Sequence, residues 1–154
     1  VAKEAGIRVS HLRSGIVISP LGGALAKLLP PTKMGGGGPV GGGRQIQSWI
    51  SLDDEIYAIH HLLMQDTSQG AYNLTSPNSV SQKEFAKILG SVLRRPSFMP
   101  LPKFALQLMF GEMGKVLIIE GQDVKPTRLQ ESGFTFTYSH LESCLRNCLG
   151  RVKN

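Results

Sequence analysis

Four groups of residues carry side chains or spacings that could do chemistry: the acidic run Asp53–Asp54–Glu55, the pair His60–His61, the cysteines Cys144 and Cys148, and the glycine-rich stretch 35–43. Adjacent carboxyls could serve as general acid and base. They open a helix here, so the simpler expectation is that they cap backbone N–H groups and favour the helix dipole. His60 and His61 are neighbours on the same helix and point about 100° apart, so they cannot share a metal. One packed and one exposed ring is expected. Cys144 and Cys148 are four residues apart with no second ligand pair nearby, which predicts reduced, partly packed thiols and no metal site. Gly36, Gly38 and Gly41 match the spacing of a dinucleotide fingerprint in form only. That fingerprint needs a strand before it and a helix after it, whereas Pro39 interrupts it and Gln45–Trp49 reads as a strand. No Lys-Ser/Thr follows, so it is no Walker loop. The stretch reads either as a mobile substrate-side loop or as a plain connector.

These groups hang on an α/β pattern. Ile7, Val9 and Leu12, then Ile16, Val17 and Ile18, form a β-prone run that Ser19–Pro20 ends. The loop after such a strand lies at its carboxyl end, where ligands bind in α/β sheets. Leu21–Leu29 reads as a short apolar helix stopped by Pro30–Pro31. A strand over Gln45–Leu52 leads into a helix through Met64, and a strand over Ala71–Leu74 follows. Ser81 and Glu84 have capping-box spacing and start a helix through Leu93. Arg95–Pro102 is a proline-punctuated linker. Beyond it come an apolar helix over Lys103–Met113, an apolar stretch Val116–Ile119, a short helix over Pro126–Ser132, an extended Phe134–Tyr138, and a last helix capped by Ser139.

Several of these stretches resemble one family. LRSGIVISPLGGALAKLLPP, SWISLDD and AYNLTSPNSVSQKEFAKIL are similar to the C-terminal half of extended short-chain dehydrogenase/reductases, most closely the nucleoside-diphosphate-sugar epimerase-like proteins. The stretch from RRPSFMPLP to GFTFTY resembles that family's small C-terminal domain. The resemblance implies the terminal strands of a Rossmann-like parallel sheet plus substrate-lobe elements over residues 1–94. A small, mainly helical domain over 95–149 would follow. It implies NAD(P) as cofactor, with Arg13, Ser14, Gly15 and Ile16 near the nicotinamide. It further implies that Arg44, Gln47 and Trp49 face a small-molecule substrate. Gln47 stands where the family often has an arginine that holds a nucleotide-sugar phosphate.

Two family hallmarks are missing from this sequence. The strand–G-x-x-G-x-x-G–helix fingerprint is absent. So is the Tyr-x-x-x-Lys pair, in which the lysine lowers the tyrosine pKa one helical turn away: Tyr57, Tyr72 and Tyr138 are followed four residues on by His61, Ser76 and Glu142. No catalytic residue is therefore assigned. The chain is expected to be catalytically incomplete, not to bind NAD(P) alone, and to need an N-terminal Rossmann half or companion chain. The alternative is a non-catalytic product or interaction module on the same scaffold. A parallel sheet without its other strands exposes an edge and an apolar face, which predicts oligomers or aggregates.

Composition is compatible with this reading. The 154 residues are 41% hydrophobic and 18% charged, as in globular chains. The net charge of +6 is scattered, with Arg94–Arg95 the only adjacent basic pair, so a solvated basic surface is expected and no nucleic-acid partner. No signal peptide or membrane span is legible, and an intracellular, cytoplasmic protein is the expectation.

Overall fold

The computed structural model describes residues 5–39, 42–97, 99 and 121–151. The helix expected over Lys103–Met113 and the stretch Val116–Ile119 fall outside the described residues. The elements are β1 (Ser10–Ser14), β2 (Ile16–Ile18), α1 (Gly23–Lys33), β3 (Ile46–Gln47), β4 (Trp49–Ser51), α2 (Leu52–Met64), β5 (Gly70–Leu74), β6 (Val80–Ser81), α3 (Gln82–Leu93), α4 (Thr127–Glu131) and α5 (Leu141–Cys148). β1 pairs in parallel with β5, from Ser10 opposite Gly70 to Ser14 opposite Leu74. β2 pairs in parallel with β4, and β3 runs antiparallel to β6. The architecture is α/β, as the sequence predicts.

The first β-run is not one strand with one neighbour. It forks at Gly15. The Gly15 N–H donates to the Leu74 carbonyl at 3.0 Å, and the next N–H, of Ile16, donates to Ser48 O at 2.9 Å. Only glycine fits the fork. A Cβ there would sit 2.6 Å from Ser48 O and 2.9 Å from Thr75 Cγ2, both too close for real atoms.

Two apolar clusters hold the layers together. In the first, Ile18, Leu25, Trp49, Phe85 and Leu89 pack with Leu141, Cys144 and Leu145. In the second, Ile50, Ala58, Leu62, Tyr72 and Leu74 pack with Leu129. Each fully buried aliphatic or aromatic side chain contributes about 1.5–3 kcal/mol. Residues 121–151 thus share their core with residues 5–97. Arg128 adds a polar tie. Its guanidinium donates to Ala71 O (2.7 Å) and Gln69 O (2.9 Å) and lies 4.5 Å over the Tyr72 ring.

Two helix ends differ from the sequence expectation. α1 runs through Pro30 and Pro31 to Lys33. Its last turn is held from inside: Leu28, Leu29 and Thr32 are buried, and the Thr32 hydroxyl donates to Leu28 O at 2.7 Å. Packing on that face outweighs the two missing proline donors. α5 begins after His140 and has no side-chain cap, so Ser139 does not cap it. Its carbonyl is used elsewhere, accepting from Ser76 Oγ and Asn78 Nδ2.

Candidate functional site

The fork creates a cleft. Where β1–β2 parts from β5 to join β4, an open cavity of about 320 Å³ is lined by Arg13–Ile16, Ile46–Ser48, Asn73, Thr75, Gly121, Gln122 and Val124. It lies at the carboxyl ends of β1 and β5, where parallel sheets place ligand sites. Residues 121–124 form its second wall. Gln122 N donates to Ile46 O at 2.8 Å, and Gln122 bridges Gln47 in parallel. Ser48 stitches that wall down, its Oγ donating to Gln122 O (2.7 Å) and accepting from Val124 N (2.8 Å). The Thr75 hydroxyl donates to Val124 O at 3.1 Å.

These bonds leave few polar groups uncommitted. Ser48 and Thr75 are occupied, and Asn73 Nδ2 donates to Lys125 O. Gln47 is 5% exposed and lines the cleft, and none of the hydrogen bonds found among the described residues engages its carboxamide. Arg13 is the one cation on the cleft wall among the described residues. A neutral amide, a guanidinium and backbone groups fit a small, polar ligand group.

Beneath the fork sits an acid. Ser14 Oγ donates to Glu55 Oε1 at 2.5 Å. Glu55 is buried and its Oε2 has no partner among the described residues. Desolvation outweighs the Ser14 bond and raises its pKa above 4.5. Its neighbour Asp54 is wholly buried and accepts from the Thr137 and Tyr138 N–H groups at 2.7 and 3.0 Å. The acidic run is therefore more than a helix cap, though Ser51 does cap α2 through Asp54 N. His60 is exposed and His61 half-buried. His61 Nε2 lies 3.1 Å from Ser132 O and Oγ, and its ring packs edgewise on Phe134. Among the described residues no group of three acids, histidines or cysteines is arranged to hold a metal.

The cleft brings together Arg13, Ser14, Gly15, Ile16 and Gln47. It does not take in Arg44, which is exposed in the loop after Gly43. Trp49 also departs from expectation. It does not face the cleft but is fully buried in the first cluster, with Nε1 donating to Asn78 O at 2.8 Å. Strand alternation explains this: Trp49 and Ile50 enter opposite clusters, and the bulky ring takes the core side. Sequence reasoning missed Asn73, Thr75 and the whole 121–124 wall. Gly121 carried a weak signal: its φ is +65° and a Cβ would sit 2.6 Å from Ile46 O.

The parallel pairing of β1 with β5 and of β2 with β4, with helices packed on them, makes a Rossmann-like α/β scaffold. The human epimerase family protein SDR39U1, solved with NADPH, superposes with a TM-score of 0.87 at 33% identity, covering 95% of this chain and 50% of that one. UDP-glucose 4-epimerase from Thermotoga maritima shares the fold, with a TM-score of 0.68 at 19% identity. In sequence, the chloroplastic SDR39U1 homologue of Arabidopsis thaliana is 44% identical over 140 residues, 91% of this chain and 40% of that protein. YfhF of Bacillus subtilis is 39% identical over 96% of this chain and 48% of its own length. Residues 101–148 match a domain of unknown function, DUF1731. The chain belongs to this epimerase family and aligns with the C-terminal half of its members. It spans about half the length of the curated relatives it matches.

Among the described residues no helix is long and apolar enough to cross a membrane.

Proposed function

We propose that this chain is the substrate-side half of an NAD(P)-dependent epimerase/reductase-like protein and is catalytically incomplete by itself. The observation that carries this is the cleft at the Gly15 fork, where Arg13–Ile16 and Gln47 meet on one wall. A nicotinamide cofactor would supply hydride transfer there. The chain's own residues would bind and orient: the Arg13–Ile16 backbone as the cofactor-side wall, and Gln47 as a donor and acceptor for a small polar substrate. The division into a lobe over 1–94 and an appendage over 95–149 belongs to the same reading.

The surface supports incompleteness. Leu12 on β1 and Ile56, Tyr57, Ile59, Leu63 and Met64 on α2 are 40–68% exposed. Parallel sheets and their helices are normally covered, so this face fits an N-terminal Rossmann half. Left uncovered, it favours oligomers or aggregates.

The test is an NADPH titration, followed by the cofactor's own fluorescence, on the folded chain alone. It is repeated with a separately produced N-terminal half of a relative carrying G-x-x-G-x-x-G and Tyr-x-x-x-Lys. The expected result is saturable binding only for the pair. Saturable binding by the chain alone overturns the half-site reading. No binding by a folded, assembled pair overturns the cofactor reading and leaves an interaction module.

A further inference from the structure

The polar groups of the fork cleft divide into spent and unspent ones. Ser48 and Thr75 are held by the 121–124 wall, and Asn73 Nδ2 donates to Lys125 O at 3.1 Å. Lys125 is itself engaged, 3.0 Å from Asp123 and donating to Ser79 Oγ. Arg13 is not: among the described residues no hydrogen bond or ion pair takes its guanidinium. The strand register places that guanidinium. Arg13 stands opposite Asn73 in the β1–β5 ladder, and opposite residues project to the same face. Ser14 points the other way, to Glu55 on α2, so alternation sends Arg13 to the cleft face.

Gln47 is the second unspent group. It is 5% exposed, and its carboxamide has no partner among the described residues. That amide is not sealed off. Glu55 Oε2 is the one fully buried side-chain nitrogen or oxygen left unpartnered among the described residues, so the Gln47 amide meets solvent in the cleft it lines.

These two groups select a chemistry. No acid lines the cleft among the described residues, so an anion entering it meets a free cation and no repulsion from the wall. A guanidinium takes a planar carboxylate through two parallel N–H···O bonds. One guanidinium balances one carboxylate, whereas a diphosphate would leave charge unpaired. A carboxamide both donates and accepts, so it suits a hydroxyl or a carbonyl oxygen. The cavity of about 320 Å³ is at the small end for ligand sites, which favours a ligand of few atoms.

We propose that the cleft is a subsite for small monocarboxylic acids bearing a hydroxyl or carbonyl group, with Arg13 holding the carboxylate and Gln47 the neutral oxygen. This rests on the substrate-side reading above and narrows its substrate to hydroxy and oxo acids. Those are two oxidation states of one carbon, as a nicotinamide-dependent site requires.

The test uses four probes on the isotope-labelled chain: lactate, its neutral isostere lactamide, propionate, which lacks the hydroxyl, and inorganic phosphate. Each is titrated at constant ionic strength and followed by NMR at the Gly15 and Ile16 backbone amides and the Gln47 side-chain amide. Lactate is expected to shift all three saturably. Lactamide and propionate are each expected to bind about tenfold more weakly, the loss of one charge-assisted or buried hydrogen-bonded contact. R13Q reduces lactate to the level of lactamide. Q47L keeps propionate binding and erases the advantage of lactate over it. Peak dispersion establishes that both variants are folded. Lactamide binding as well as lactate overturns the proposal, as does phosphate binding as tightly as lactate, an unchanged lactate affinity in R13Q, or no saturable shift with lactate. If lactate fails while the assembled pair binds NADPH, the acid subsite falls and the half-enzyme reading stands. Lactate binding without NADPH binding by the pair gives the reverse.

Discussion

α2 and α3 begin with the same local grammar and use it differently. Each follows a serine N-cap with an acid three residues on: Ser51 with Asp54, Ser81 with Glu84. Each serine accepts from the backbone N–H of that acid. At α3 the acid returns the favour. Glu84 stays in solvent and accepts from the Ser81 N–H at 2.9 Å, closing a reciprocal box. At α2 the acid turns inward. Asp54 accepts from Thr137 and Tyr138, more than eighty residues away. The same spacing makes a local stop sign in one helix and a long-range clamp in the other. Burial decides which: Asp54 is 0% exposed.

Substitutions should separate clamp from cap. The largest effect is expected for D54A, which strands two part-buried backbone donors and costs about 2–4 kcal/mol, measured by urea unfolding. A loss under about 1 kcal/mol would reduce the clamp to an ordinary cap. S51A comes next, at about 2 kcal/mol, because its hydroxyl bonds from Asp54 N and to Asp54 Oδ2 (2.8 Å) are both buried. S81A loses the same two hydroxyl bonds, from Glu84 N and to Glu84 Oε2, but in solvent, at about 1 kcal/mol. Equal losses for the two serines would erase the distinction.

Two acids then give smaller, opposite pH effects. Glu55 has a raised folded pKa, so it disfavours the folded state once its unfolded counterpart ionises. Stability from this group is fully present below 4.5 and is lost as pH rises from there through the folded value. E55Q is therefore expected to raise Tm at neutral pH and leave it unchanged in acid. Glu84 runs the other way. Its bonds from the Ser81 backbone and hydroxyl lower its pKa, so its contribution is present above 4.5 and fades as pH falls through the folded value. E84Q should lower Tm slightly at neutral pH and not in acid, where the melting curves of the two chains should merge.

What was legible in the sequence follows from the range of the forces involved. The capping box of α3 was legible because all its partners lie within four residues. The fork-side wall Arg13–Ile16 was reached through family resemblance, since nothing local says that a strand will change neighbours at Gly15. The other wall, 121–124, was illegible because its own backbone groups make the bonds that place it, to Ile46 O, Ser48 Oγ and Thr75 Oγ1, and backbone groups leave little trace in side-chain pattern. Trp49 was expected at the cleft only through its place in the family motif, and the structure buries it in the first cluster. Pro30–Pro31 suggested a stop, but buried Leu28, Leu29 and Thr32 carried α1 past it.

The inward turn of Asp54 also constrains how the chain can be made. Synthesis proceeds from the N-terminus, and α2 leaves the ribosome long before Thr137 and Tyr138 exist. Until those residues arrive, closing the core would bury an acid without its donors, so the layers are held apart and the order of assembly is set by the last segment to emerge. A chain ending at Phe136 should therefore be digested by protease as an open form, whereas one ending at Arg151 should resist.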